Sequence, residues 1–240
     1  MAQTQTRMFY KNEAKEAMRG QYPSVILFGI ITLIIAGVVS AIGEVFAPTV
    51  EDFTVIDPGI PFLYLVFNIA TFVLSALIAY GYTKLFYAII CGSVIDVKAL
   101  LEATFKEQPL RSIILRFFMT LFLSLWTLLF FIPGLIKSYA YAMSFYHIMR
   151  GEQDALAAIT LSRQSMFGHK MDLFILDLSY LGWYILGIFT FGLLYIWIIP
   201  RHMTARMLMF NDLYGEPRHF ESTERVKPDV SEDPFAAYER

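Results

Sequence analysis

Long apolar runs separated by short polar stretches dominate the chain and predict membrane-spanning helices. A helix that crosses the hydrocarbon core of a bilayer needs about 20 mostly apolar residues. The expected fold class is therefore all-α, a polytopic helical membrane protein built from short hairpins. Six helices are predicted, at about residues 23–46, 60–91, 112–132, 134–149, 172–189 and 193–212.

Proline and glycine residues divide the longer apolar runs. Pro133 and Gly134 are predicted to break a helix, because proline lacks a backbone donor and glycine adds backbone freedom. Gly192 lies in the expected turn at 189–192, and Pro200 is predicted as a further break. The helix at 134–149 either crosses the membrane in a tight hairpin or lies at the interface.

The polar segments contain nearly all of the 19 lysine and arginine residues, whereas the loop at 47–59 carries only acidic charges. Two of these segments, at 92–112 and 150–171, have one apolar face. Because basic residues concentrate on the cytoplasmic side, both termini are expected there. The predicted organisation is an amphipathic leader at 1–22, a six-span domain at 23–214 and a polar tail at 215–240.

The composition agrees with a membrane location. The chain is 57% hydrophobic and 17% charged, whereas soluble domains are about 45–50% apolar and about 25% charged. The net charge of −2 provides no basic field for nucleic acid. The single cysteine, Cys91, excludes an intrachain disulfide and a cysteine-based zinc cage.

Sequence signatures of enzymes are absent from the chain. It has no GxSxG, no phosphate loop and no HExxH, and His147 has no second ligand four residues further on. We therefore expect a non-enzymatic protein without cofactor or metal, which acts by association. The expected partners are membrane lipid and either another membrane protein or a second copy of the chain. The alternative is a small transporter or channel component, since broken helices often line transport sites.

Asp177 is a carboxylate inside an apolar run. A charge there costs about 2.5–3.5 kcal/mol on insertion scales, so a partner is expected. In a hairpin that turns near 190–191, Asp177 lies level with a position between Arg201 and Arg206. We expect an ion pair that locks the two helices together, with a substrate or proton role as the less favoured alternative.

A second candidate site is basic. Arg163, His169 and Lys170 lie in and directly after a polar segment predicted to be cytoplasmic. Such residues can hold a lipid phosphate at the membrane surface. An anchor that only fixes membrane orientation is the simpler alternative.

Several motifs along the chain form a specific combination: KNEAKEAMRG at 11–20, IPGLIK at 132–137, YAYAM at 139–143, Ala158, Ser162-Arg163, Met166, GHK at 168–170, LDLSYLGW at 176–183, Pro200 and Tyr214. In combination they resemble one bacterial family of integral membrane proteins, called domain of unknown function 975. The resemblance covers about residues 10–214 and implies a multi-span helical protein of the bacterial cytoplasmic membrane. It also implies a loose similarity to membrane domains attached to some glycerophosphodiesterases, and no established reaction. Arg201 is a departure, because the family usually has an aromatic residue there.

Overall fold

The computed structural model describes residues 6–47, 59–93 and 95–215. Within these ranges the chain forms helices and no strand, so the all-α class is confirmed. The predicted acidic loop and polar tail lie almost entirely outside the described residues. The helices are α1 (Arg7–Ala17), α2 (Tyr22–Val45), α3 (Gly59–Ile90), α4 (Val97–Lys106), α5 (Pro109–Leu129), α6 (Phe131–Ala140), α7 (Ser144–Met149), α8 (Ala155–Ser165), α9 (Lys170–Phe189) and α10 (Tyr195–Tyr214).

Four described helices, α2, α3, α5 and α9, are long and apolar enough to cross a membrane. In the most apolar 18-residue stretch of each helix, only 11–22% is buried inside the molecule. Leu128 is 86% exposed and Phe191 is 99% exposed, at the ends of two hairpins. Apolar exposure on this scale requires a covering surface such as lipid. By the same measure of length and hydropathy, neither α10 nor the segment 131–149 is a candidate membrane span.

The predicted helix break at Pro133 and Gly134 is wrong. The break lies at Phe130, whose backbone is extended (φ −156°, ψ 136°) between α5 and α6. Pro133 falls in the first turn of α6, where a missing N–H removes no helical hydrogen bond. Gly134 allows the two helices to approach, since a Cβ there would lie 2.4 Å from Oγ1 of Thr127.

The predicted helix at 134–149 is two helices, because residues 141–143 form a turn between α6 and α7. With ten residues, α6 alone covers only about 15 Å, half of a bilayer core. Beyond α7, Gln153 Oε1 accepts a 3.0 Å hydrogen bond from Arg111 Nη2 near the start of α5. Together, α6 and α7 therefore retrace the length of α5.

The last apolar stretch folds as a hairpin of α9 and α10, with a turn over residues 190–194. Gly192 adopts a left-handed conformation (φ 85°) at this turn, where a break was predicted. Gly187 leaves room for the Tyr195 ring, whose Cε1 would lie 2.1 Å from an added Cβ. The predicted break at Pro200 is wrong, because this residue lies inside α10. One missing donor does not end a helix whose following half is buried.

The short polar helices pack against the longer ones. The leader helix α1 lies along α10, and Tyr10 donates a 2.9 Å hydrogen bond to Asp212. Asp154 caps α8 by accepting hydrogen bonds from the backbone of Leu156 and Ala157. The main core forms where α1, α2, α3, α7, α9 and α10 meet, and it includes Phe28, Leu85, Met143, Tyr146, Leu173, Leu176 and Leu208.

Candidate functional site

Asp177 is paired across the α9–α10 hairpin. One carboxylate oxygen lies 2.7 Å from Nε2 of His202, and the other lies 3.6 Å from Nη1 of Arg206. The Asp177 side chain is only 17% exposed and that of His202 is 8% exposed. The structure therefore brings Asp177 together with Arg206, one of its two predicted partners, and adds a histidine that the sequence argument missed.

The second ring nitrogen of His202 extends the hydrogen-bond network. Its Nδ1 lies 2.8 Å from the Tyr184 hydroxyl, and the Tyr180 ring stacks on the imidazole at 4.6 Å. The Tyr195 hydroxyl donates to the backbone carbonyl of Tyr184 at 3.1 Å. Both ring nitrogens of His202 are thus engaged, which fixes the imidazole between the two helices.

Arg201 does not join this cluster, so its predicted pairing with Asp177 is wrong. Its Nε donates a 2.5 Å hydrogen bond to the Tyr22 hydroxyl at the start of α2. The reason is helix rotation. Tyr195, His202 and Arg206 follow one another at intervals of seven and four residues, so they share the face towards α9. Arg201 lies about 100° away around the same helix.

The predicted basic site contains a cluster of three cations. Arg163 and Lys170 lie near enough to Lys137 of α6 to act on its charge. The Lys137 ammonium lies 4.6 Å from the centre of the Trp126 ring. In the described part of the chain, no carboxylate forms an ion pair with any of the three. Lys137 is a member that the sequence argument missed, because it is distant in sequence.

His169, the third predicted residue, is engaged elsewhere. Its Nδ1 lies 3.1 Å from a carboxylate oxygen of Asp172, one turn into α9. The backbone of Gly168 is left-handed (φ 85°), and it turns the chain from α8 into α9. His169 therefore belongs to the helix start, and Arg163 and Lys170 remain as the cationic part of the predicted site.

An apolar groove adjoins these cations. It runs between α6 and α9 with a volume of about 270 Å³, and almost all of its surface is apolar. Lys170 is one of the residues that line it, so the groove combines apolar walls with a positive charge. We call it the α6–α9 groove; its lining residues are Leu135, Ile136, Tyr139, Lys170, Met171 and Phe174.

No metal centre emerges within the described ranges, where no three histidine, cysteine or acidic side chains converge. His147, the lone histidine of α7, instead lies 3.3 Å from the Ser165 hydroxyl. The described geometry therefore contains a helix-joining polar network and a basic apolar groove.

Comparison with known proteins gives one match. Neither a curated protein nor a solved structure matches the chain significantly. The model of the family described as "Protein of unknown function (DUF975)" matches residues 127–216, which include the α6–α9 groove and the whole α9–α10 hairpin. The resemblance to this family is thereby confirmed over residues 127–216.

Proposed function

We propose that this chain is a non-enzymatic membrane protein that binds an anionic phospholipid in the α6–α9 groove. The observation that carries the proposal is an apolar groove that Lys170 lines, together with the positive charges of Lys137 and Arg163 near Lys170. A phospholipid combines the same two features, an acyl chain and a phosphate, in one molecule.

Both parts of such a lipid gain free energy in the groove. Each acyl CH₂ group buried against protein or lipid contributes about 0.8 kcal/mol relative to water. Since the surrounding bilayer offers the same gain, the acyl chain positions the bound lipid but adds little selectivity among lipids. Selectivity comes from the cations, because charge-assisted contacts to phosphate are stronger than neutral hydrogen bonds. The site is therefore expected to prefer anionic over zwitterionic headgroups.

The proposed topology has six crossings with both termini in the cytoplasm. The return of α6 and α7 to the start of α5 supports a full crossing by this broken segment. The concentration of lysine and arginine in the polar segments favours this topology. We also propose a bacterial plasma-membrane location, in keeping with the family resemblance.

A small transporter or channel component is the second candidate. The Asp177, His202 and Tyr184 chain favours it, because intramembrane acid–histidine chains occur in proton pathways. If purified protein in vesicles moves neither protons nor solute, and still retains anionic lipid, the transport candidate is excluded.

Native mass spectrometry in mild detergent tests lipid binding. The double variant Arg163→Gln/Lys170→Gln removes two cations at the groove. The matched control Lys98→Gln/Lys106→Gln removes two cations from α4, where Lys106 pairs with Glu102. We expect the control to retain phosphatidylglycerol, and the groove variant to retain about tenfold less, equivalent to about 1.4 kcal/mol.

Two results would contradict the proposal. One is equal retention of phosphatidylglycerol by the groove variant and its control. The other is equal retention of phosphatidylglycerol and phosphatidylcholine by the unaltered protein.

A further inference from the structure

A second cavity lies between the leader helix α1 and the α9–α10 hairpin, on residues distinct from those of the α6–α9 groove. Its volume is about 140 Å³. Among the described residues, three cations, three aromatic rings and two aliphatic residues line it, and no carboxylate does. We call it the α1 pocket, and its cations and rings are Lys11, Lys15, Arg201, Tyr180, Trp183 and Trp197.

The cations of the α1 pocket are held in place, but not neutralised. Lys11 Nζ donates a 2.9 Å hydrogen bond to the Ser179 carbonyl and lies 4.8 Å from the centre of the Tyr180 ring. Arg201 contacts Tyr22 through Nε, so the two terminal nitrogens of its guanidinium remain available to a ligand. Among the described residues, no carboxylate forms an ion pair with Lys11, Lys15 or Arg201.

The environment of Lys11 disfavours its charge. Burial lowers the pKa of Lys11, and the positive charge of Arg7 lowers this pKa further. A nearby anion would stabilise the charged ammonium and act in the opposite direction. The α1 pocket therefore carries uncompensated positive charge, which an anionic ligand would neutralise.

We propose that the α1 pocket binds a small organic anion, with a phosphate or carboxylate against the cations and an apolar or aromatic body between the two tryptophans. Binding sites of this kind combine apolar walls with a few convergent polar groups. Indole rings supply flat contact area and an N–H donor, and cations lie favourably over aromatic rings. The ligand is therefore recognised by its charge and by its flat or apolar body.

The size of the α1 pocket limits the ligand. Sites for drug-sized molecules are about 300–1,000 Å³, whereas this pocket is about 140 Å³. It accommodates the head of a molecule and not a whole lipid. The anion therefore comes either from a soluble metabolite or from a lipid headgroup, and the two sources share the same chemistry.

Tryptophan fluorescence in nanodiscs tests this proposal. Trp126 is the one tryptophan outside the pocket, so Trp126→Phe leaves only Trp183 and Trp197 as reporters. Phenyl phosphate, titrated into protein in phosphatidylcholine nanodiscs, is expected to change this emission saturably. A parallel arm replaces a third of the lipid with phosphatidylglycerol and adds no soluble anion.

Two variants in the same background test the cations. Lys11→Gln/Lys15→Gln is expected to raise the Kd for phenyl phosphate about tenfold, through loss of charge-assisted contacts. Lys15→Gln alone changes only an exposed residue, and it tests the pocket even if loss of the Lys11 contact disturbs folding. Lys98→Gln, on α4, is the control and is expected to leave the Kd unchanged.

Each outcome supports or overturns the proposal. Saturable binding of phenyl phosphate in phosphatidylcholine supports a soluble anion, and an emission change with phosphatidylglycerol alone supports a headgroup. No saturable change in either arm would overturn the proposal. An equal effect of Lys15→Gln and Lys98→Gln would also overturn it, whatever the result at the α6–α9 groove.

Discussion

The α2–α3 and α9–α10 hairpins both consist of apolar helices, but different contacts hold their helices together. In α2–α3, the Phe46 and Phe67 rings stack at 5.5 Å, and the Thr32 hydroxyl lies 3.1 Å from that of Tyr82. No charged pair joins α2 to α3 among the described residues. In α9–α10, Asp177 is paired with His202 and Arg206 across the interface, as described above.

The difference determines how strictly each hairpin fixes the rotation of one helix against the other. Lipid is as apolar as the helices, so apolar burial drives little association between helices in a bilayer, and packing and hydrogen bonds decide it. Ring stacking tolerates small rotations of a helix. A carboxylate that must meet an imidazole at 2.7 Å does not. The α9–α10 hairpin therefore has a fixed rotation, which also places Arg201 and the aromatic rings of the α1 pocket.

Replacement of Asp177 should give the largest effect. Asp177→Asn removes the charge and presents an amide to the donors on α10. We expect a loss of about 2–3 kcal/mol in the free energy of unfolding, because breaking a buried pair leaves a charge uncompensated. Unfolding in mixed micelles measures this change. Arg201→Gln is the control, since Arg201 contacts Tyr22, and an equal loss in this control would contradict the assigned pairing.

Closing the space at Gly187 should have the next largest effect. Gly187→Ala puts a methyl group into the Tyr195 ring and should destabilise the hairpin by about 1–2 kcal/mol, as overpacked cores do. Gly182→Ala is the matched control on the same helix, because nothing lies within 4 Å of an added Cβ there. Equal unfolding midpoints for the two variants would contradict the close packing of Tyr195.

The corresponding change in α2–α3 should be the mildest. An added Cβ at Gly43 would lie 3.1 Å from Cβ of Phe67, a tight contact that a small shift relieves. We expect Gly43→Ala to lower the free energy of unfolding by less than about 1 kcal/mol. Gly37→Ala, which meets nothing within 4 Å, is the control. A loss at Gly43 larger than that at Gly187 would reverse the comparison between the hairpins.

The all-α class and the positions of the long helices were predictable, because apolar runs and their polar boundaries follow directly from the sequence. The partner of Asp177 was only partly predictable. Counting residues from the turn gives the position along α10 that lies opposite Asp177. The rotation of α10, however, depends on how Tyr195 packs against Gly187. The interval from Tyr195 to His202 was the available signal, because residues seven apart share a face.

The breaks at Pro133 and Pro200 were wrongly predicted for a common reason. A proline weakens a helix according to its position, and a first turn or a well-packed helix tolerates it. The cation cluster was missed in part because its members lie on three different helices, Lys137 on α6, Arg163 on α8 and Lys170 on α9. Contacts between distant segments leave no periodic pattern in the sequence.

Photo-crosslinking tests the central claim of lipid binding most directly. Phosphatidylglycerol with a photoreactive group in its acyl chain is incorporated into nanodiscs, and the modified residues are identified by mass spectrometry. We expect adducts concentrated on the α6–α9 groove, at residues such as Met171 and Phe174, and lost from Arg163→Gln/Lys170→Gln. Adducts spread evenly over the exposed faces of α2, α3 and α5, and unchanged in that variant, would contradict the account.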